Sequence, residues 1–148
     1  MGLIGRIGRI AQHLSKEMEK TFAAHGLTGA SFDVLATLRR SGPPYGLSPG
    51  SLLATMMVTS GTMTNRIDQL EKAGLVARTH NLDDRRSVII SLTDRGFAVI
   101  EAAVTAHVET QARLTSMLAK EETAAFNALL SKYLTVFETV GNGVSVGE

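Results

Sequence analysis

The chain has 148 residues, of which 44% are hydrophobic, so it is large enough to bury one core and has the size of a single domain. It contains no cysteine, which excludes disulfides, thiolate metal sites, and cysteine-based catalysis or redox sensing. Its apolar runs are far shorter than the roughly 20 residues that span a bilayer, and its N-terminus lacks a secretory signal, so we expect a cytoplasmic protein without a membrane partner.

Charge is unevenly distributed along the sequence. Residues 1–95 carry 12 basic and 8 acidic side chains, a net charge of +4, whereas residues 96–148 carry 3 and 6, a net charge of −3. The positive first part is compatible with nucleic-acid binding, although many soluble proteins have a similar asymmetry.

The first two helices are predicted from apolar residues spaced three and four apart. The first runs from about Leu3 to Ala24 and ends before Gly26. Its apolar stripe consists of Ile7, Ile10, Leu14, Met18 and Phe22. A second, shorter helix is built on Phe32, Leu35 and Leu38, and it ends at the Ser-Gly-Pro-Pro segment 41–44, which cannot continue helical hydrogen bonding.

A helix-turn-helix is predicted next, after a loop that reaches Leu47. Ser48 is expected to cap a short helix that has Pro49 at its first position and runs to about Met56. Either Thr59 or Ser60 caps the fourth helix. Its buried stripe is Met63, Ile67 and Leu70, and Gly74 is the predicted stop.

The next segment predicts a β-hairpin. Two runs compatible with strands, 75–78 and 87–92, flank the polar stretch 79–86, which would form a charged tip.

Two further helices complete the predicted order. Thr93 is expected to cap a long helix that continues to about Ala119, with one apolar face formed by Phe97, Ile100, Val104, Val108 and segment 111–118. A last helix carries the apolar positions Phe126, Leu129, Leu130, Tyr133, Leu134 and Phe137. Residues 141–148 are predicted to be a disordered tail.

This order predicts a mostly α (α+β) fold, a winged helix-turn-helix with N- and C-terminal dimerisation helices. Within a single domain covering residues 1–148, we assign residues 28–96 to the DNA-binding lobe and residues 1–25 and 97–140 to the dimerisation helices. The first, fifth and sixth helices carry apolar stripes that a small lobe cannot cover. Pairing with a second chain would bury these stripes, so we expect a homodimer.

The fourth helix presents a polar face opposite its buried stripe. The side chains on this side that we expect to contact DNA are Ser60, Thr62, Thr64, Asn65, Arg66 and Gln69. Small residues at the start of the helix allow it to enter the major groove, and the amide and guanidinium groups match base edges. The alternative is an ordinary solvated helix face, which is common.

The predicted hairpin tip places acidic and basic residues side by side. We expect Asp84 to hold one arginine by a charge-assisted hydrogen bond, while the other of Arg85 and Arg86 enters a narrow minor groove. The alternative is a surface salt bridge that contributes little energy.

The stretch from Leu47 to Gly96 resembles the MarR family. The resemblance rests on Thr-Asn-Arg-Ile-Asp-Gln-Leu-Glu-Lys-Ala-Gly-Leu-Val at 64–76, Asp-Asp-Arg-Arg at 83–86 and Ser-Leu-Thr-Asp-Arg-Gly at 91–96. Each motif has moderate specificity, but their order and spacing together are specific, and the flanking helices extend the likeness over nearly the whole chain.

The resemblance implies a two-fold dimer that binds double-stranded DNA at a pseudo-palindromic operator, with Asp84 and Arg86 at the Asp-x-Arg positions of the wing. It also implies a transcription regulator, predicted here to be a repressor, controlled by a small aromatic or anionic ligand bound between the dimerisation helices and the lobe. Without cysteine, peroxide sensing by thiols is disfavoured, and without tryptophan the first-helix Trp of the urate-responsive subgroup is missing.

No cofactor and no metal are predicted, because the four histidines lack the close spacing of metal ligands. Arg9 and His13 lie one turn apart on the first helix and are candidate contacts for an anionic effector, although a solvent-facing or dimer-facing pair is the simpler interpretation.

Two other functions are alternatives to DNA binding. An enzyme is disfavoured because the sequence lacks a nucleophile elbow, a phosphate loop, a zinc-binding His-Glu-x-x-His pair and a dinucleotide-binding turn. A winged helix that contacts a protein instead of DNA is the stronger alternative. Arg66 and Arg86 argue against it, since a protein interface more often presents aromatic or aliphatic anchors.

Overall fold

The structure is a computed structural model that describes residues 2–80, 83 and 87–143. The described helices are α1 (Leu3–Ala24), α2 (Gly29–Arg40), α3 (Pro49–Met56), α4 (Ser60–Lys72), α5 (Asp94–Thr115) and α6 (Lys120–Gly143). The described strands are β1 (Gly46–Leu47), β2 (Val76–His80) and β3 (Val88–Leu92). None of the described helices is both long and apolar enough to cross a membrane.

The chain forms two compact units, Met1–Thr110 and Gln111–Glu148. The core of the first unit is centred on α2, in which Val34, Leu35 and Leu38 have no exposed surface. Leu52 of α3, Met63 and Ile67 of α4, Ile90 of β3 and Ile100 of α5 are the other large side chains that are fully buried with them. Burial of each such side chain contributes about 1.5–3 kcal/mol, so this core fixes α4 relative to α2 and the sheet.

Side-chain caps define where the central helices begin. Ser48 Oγ accepts the Ser51 N–H at 3.1 Å, and Thr59 Oγ1 accepts the Thr62 N–H at 3.2 Å. Both satisfy backbone donors that a helix start would leave unpaired. The predicted Ser48 cap is therefore confirmed, and Thr59 is the cap of α4.

The sheet contains three antiparallel strands in the order β1-β3-β2. The predicted hairpin is confirmed in its described part, where Val76 pairs with Leu92 and His80 with Val88. Strand β1 replaces part of a predicted loop, and Gly46 lies opposite Ser91. A Cβ at position 46 would lie 2.6 Å from Ser91 Oγ, so only glycine allows this close approach without displacing a neighbour.

Helix α5 begins at its predicted cap, since Thr93 Oγ1 accepts the Gly96 N–H at 3.0 Å. Along its predicted apolar face, Ile100 is buried and Val108 is 57% exposed within the single chain. The predicted end at Ala119 is wrong. The Ala119 N–H donates to Glu122 Oε1 at 2.9 Å, which starts α6 and leaves α5 to end at Thr115.

Helix α6 is 24 residues long and amphipathic. The prediction of a tail from position 141 is wrong for residues 141–143, because the helix continues to Gly143, and residues 144–148 lie outside the described part. No side chain is buried among the described positions 120–139 of α6. Several large apolar groups are instead open to solvent, including Leu129 at 66%, Leu134 at 56% and Phe137 at 61% exposure.

Candidate nucleic-acid interface

Helix α4 is oriented by its apolar stripe, as the sequence predicted. Met63, Ile67 and Leu70 are each no more than 3% exposed. Since residues advance by about 100° around a helix, their burial leaves the opposite side of α4 open to solvent. Ser60, Thr62, Thr64, Asn65 and Gln69 are all exposed there.

Hydroxyl groups at the start of α4 form hydrogen bonds within the first turn of the helix. Thr59 Oγ1 donates to Thr62 Oγ1 at 2.8 Å, and Thr64 Oγ1 donates to the Ser60 carbonyl at 2.9 Å. Thr62 keeps a proton to donate and Thr64 keeps a free lone pair. These bonds make the first turn rigid, which suits it to positioning against a phosphate backbone.

Asn65 and Gln69 carry amides with their full hydrogen-bonding capacity. They lie one helical turn apart, and in the described part of the chain neither side chain has a hydrogen-bond partner. Each amide offers a donor and an acceptor side by side, the arrangement that pairs with the N6 and N7 atoms of adenine in the major groove.

Arg66 lies at the side of α4 that faces α2, and its side chain is half-buried. It lines one pocket of about 200 Å³ together with Gln69 and residues 26–28, 30 and 31, and another of about 280 Å³ together with Asp33, Thr37 and Arg40. It forms no hydrogen bond or ion pair with another described residue. The half-buried side chain of Arg66 is therefore less available to enter a DNA groove than the exposed side chain of Asn65.

The predicted wing residues Asp84, Arg85 and Arg86 lie outside the described residues. The strands that would carry them are described, and β2 is fastened to α4 by a contact that the sequence did not predict. Arg78 donates from Nη2 to Asp68 Oδ1 at 2.5 Å and from Nη1 to Glu71 Oε1 at 2.7 Å.

This Arg78 clamp joins the strand that leads to the wing to the exposed helix. The hydrogen bond to Asp68 raises the pKa of the Arg78 guanidinium further above its ordinary value, with the charge of Glu71 adding to the effect. Asp68 and Glu71 are three positions apart and so share a side of α4. Their spacing in the sequence indicates that the two carboxylates can bind one cation. No nearby residue in the sequence indicates that this cation is Arg78.

A third pocket, which we name the effector pocket for the role proposed below, lies where α1, α2 and α5 meet and has a volume of about 290 Å³. Its lining consists of Ser15, Met18, Glu19, Phe22, Gly29, Phe32, Asp33 and His107. The rings of Phe22 and Phe32 are stacked with centroids 4.3 Å apart, and the His107 ring lies 5.1 Å from each. The candidate effector contacts Arg9 and His13 are exposed on α1 and are not among these lining residues.

Comparisons with known proteins identify the family. A family model described as "MarR family" matches residues 27–88. The HTH-type transcriptional regulator PecS of Dickeya dadantii (strain 3937) is 40% identical over 132 residues, which cover 89% of this chain and 80% of PecS. The chain belongs to the MarR family. A second relative, the HTH-type transcriptional repressor MdtR of Bacillus subtilis (strain 168), is 33% identical over 86% of this chain and 81% of its own length.

Solved structures of MarR proteins have the same fold. A cysteine-to-serine mutant of MarR from E. coli, in complex with operator DNA, matches with a TM-score of 0.74 and 28% identity, covering 88% of this chain and 93% of that one. BpsR of Bordetella bronchiseptica matches with a TM-score of 0.72 and 26% identity, over 89% and 92% of the two chains.

These findings confirm the predicted winged helix-turn-helix, mostly helical with a small sheet. Membership in the MarR family also makes the chain a DNA-binding transcription regulator and not an enzyme. The alternative of a winged helix without DNA binding is not favoured.

Proposed function

We propose that the chain is a cytoplasmic repressor that binds a pseudo-palindromic DNA operator as a homodimer. The observation that carries this proposal is the exposed face of α4, on which the amides of Asn65 and Gln69, unpaired among the described residues, project from a helix with a rigid first turn. In the proposed complex Asn65, Gln69 and Arg66 read bases, whereas the hydroxyls of Ser60, Thr62 and Thr64 contact the backbone. Asp84, Arg85 and Arg86 act in the wing.

The experiment is a binding-site selection from random duplexes, followed by fluorescence anisotropy on selected and scrambled DNA at several salt concentrations. We expect two inverted half-sites whose centres are separated by about 34 Å, one turn of DNA. Binding to scrambled DNA should be weaker and should fall steeply with salt. Enrichment of no sequence, or of a single unpaired half-site, would contradict the proposal.

We propose that the second chain pairs through the terminal helical segments 1–25 and 97–140, while the lobe 28–96 holds the DNA. The exposed apolar side chains of α6 support this arrangement, as do Leu3, Ile4 and Ile10 on α1, which are 67%, 68% and 44% exposed. An apolar surface of this extent is typical of an interface, and a two-fold dimer buries the same surface of each chain.

Control by a small ligand is the next part of the proposal. In the related BpsR, DNA binding is regulated by 6-hydroxynicotinic acid. In the present chain we place the ligand in the effector pocket. Two contacts connect the walls of that region: Thr21 and Thr110 share a hydrogen bond of 2.6 Å between α1 and α5, and Arg39 of α2 donates to Glu101 of α5.

A ligand that shifts these helices changes the separation of the two α4 helices in the dimer. It weakens DNA binding if it prefers the dimer with the wrong spacing. A tenfold preference corresponds to about 1.4 kcal/mol, and DNA must weaken the ligand by the same factor. Titration of operator-bound protein with a set of small aromatic compounds of different charge, with DNA release and ligand affinity both measured, tests this coupling. If no compound changes the affinity for DNA, the chain is a constitutive DNA-binding dimer.

A further inference from the structure

The lining of the effector pocket contains acidic residues and no strongly basic residue among those described. Glu19 on α1 and Asp33 on α2 both contribute to its lining, and both residues are exposed at its surface. None of its described lining residues is a lysine or an arginine. A carboxylate ligand would therefore meet two like charges without a basic partner, whereas a cation would be attracted.

His107, one of the residues that line the pocket, has a buried ring nitrogen without a partner among the described residues. His107 Nδ1 is buried, and no described residue donates to it or accepts from it. Buried polar atoms are nearly always hydrogen-bonded, so an unpaired one calls for an explanation. With the ring proton on Nε2, Nδ1 is an acceptor, and a ligand that carries an N–H or O–H would complete its bonding once the ring turns toward the pocket.

The aromatic and apolar residues of the lining favour a flat apolar ligand. Phe22 and Phe32 present stacked rings beside His107, and Met18 adds an adaptable thioether. The pocket volume of about 290 Å³ is ample for one substituted ring, given that a cavity of about 150 Å³ binds benzene.

We propose that the effector pocket takes a planar aromatic molecule that is neutral or cationic, carries hydrogen-bond donors for His107, Asp33 and Glu19, and is not a carboxylate. The ring would pack against the phenylalanines. This inference rests on the proposed function only for its consequence, the change in DNA binding, and it narrows the aromatic or anionic ligand that the family resemblance implied.

Three probes of nearly equal shape test the class of ligand. Benzamidine, benzamide and benzoate share one ring and differ in a head group that is cationic, neutral or anionic. Isothermal titration of the full-length protein without DNA should give benzamidine at least about tenfold tighter binding than benzoate, since one close charge contact contributes this much or more in a partly solvated site. Benzamide should lie between them.

Variants in which the pocket carboxylates are replaced by amides test whether the preference for benzamidine arises in this pocket. Asp33→Asn combined with Glu19→Gln should abolish the advantage of benzamidine, and His107→Phe, which keeps the aromatic wall, should weaken benzamidine and benzamide alike. Glu109→Gln removes an exposed carboxylate of α5 outside the lining and should change nothing. Thermal melts of each variant verify that it is folded.

The proposal is overturned if benzoate binds as tightly as benzamidine, if none of the probes binds at millimolar concentration, or if the Asp33 and Glu19 variants leave the preference intact. Anisotropy with operator DNA is measured separately. If benzamidine occupies the pocket as described and DNA affinity does not change, the assigned ligand class stands and the proposed control of DNA binding fails.

Discussion

On the exposed face of α4, the residues differ in how much hydrogen-bonding capacity they retain. Thr62 and Thr64 share hydrogen bonds with the first turn, Arg66 is half-buried beside α2, and Asn65 is exposed and unpaired among the described residues. We therefore expect sequence discrimination to fall mainly on Asn65 and Gln69.

Asn65→Ala should weaken binding to the selected operator by roughly 1–3 kcal/mol and should relax the preferred base at one position of each half-site. Arg85→Ala should instead weaken binding to all duplexes and reduce the salt slope by about one. Anisotropy on matched and scrambled duplexes measures both. Asn127→Ala, on the exposed surface of α6, is the control of the same residue type. Equal losses on both duplexes for Asn65→Ala would show that it does not read a base.

Gly96 is required by a close approach of two backbones. A Cβ at this position would lie 1.9 Å from the carbonyl oxygen of Leu75, a group fixed by its bond to the Thr93 N–H at 3.1 Å. Gly96→Ala should lower the free energy of unfolding by at least about 2 kcal/mol, because neither backbone segment can move away without breaking hydrogen bonds or packing contacts. Urea unfolding measures the loss.

Gly61 in the first turn of α4 is the matched control, since nothing lies within 4 Å of the Cβ that alanine would add. Gly61→Ala should leave stability unchanged or raise it by up to about 1 kcal/mol, the difference in helix propensity. If Gly96→Ala were as stable as Gly61→Ala, the described contact between α5 and Leu75 would be wrong.

Among the elements, β2 and α4 are joined by the Arg78 clamp. The Arg78 side chain is 33% exposed and its partners 49% and 42%, so solvent screening limits the contribution of these ion pairs to stability. Their larger effect is expected on geometry, because they hold the strand that leads to the wing against the helix that we propose contacts DNA.

Arg78→Ala should reduce the free energy of unfolding by less than about 1 kcal/mol. It should weaken operator binding by about tenfold, because the wing is no longer held against the groove next to α4. Arg78→Lys, which keeps one ion pair, should recover part of the affinity.

The double-mutant cycle with Asp68→Ala separates positioning from direct contact. If Arg78 acts through the clamp, the two losses are not additive and the double variant binds DNA about as well as Arg78→Ala alone. Additive losses would mean that Arg78 contacts DNA by itself.

For the whole molecule, the central prediction is the homodimer. Sedimentation should give a mass about twice the 15.8 kDa of one chain. Leu129→Glu places a charge on the exposed apolar face of α6 and should produce monomers that lose cooperative binding to both half-sites. Because Leu129 is 66% exposed within its own chain, the folded monomer should tolerate the change.

Ser131→Glu adds the same charge to the polar face of α6, where the side chain is exposed, and should remain dimeric. A wild-type protein that stays monomeric at micromolar concentration and still binds the palindrome tightly would refute the proposed architecture.

Local rules in the sequence determined much of this protein. The extent of α1, the Ser48 and Thr93 caps, the buried stripe of α4 and the β2–β3 hairpin were all predictable, because each depends on side chains a few positions apart that satisfy one another or share one face. The family motifs between Leu47 and Gly96 added the function, since they lie in the same local segments.

The tertiary structure alone decided the features that join distant segments. Strand β1 is too short to have a periodicity and exists because β3 pairs with it. The Arg78 clamp, the position of Arg66 beside α2 and the meeting of Phe22, Phe32 and His107 each bring together residues from separate elements. Such contacts depend on how the helices pack, and packing is set by the shape of the entire core, which no short stretch of sequence encodes.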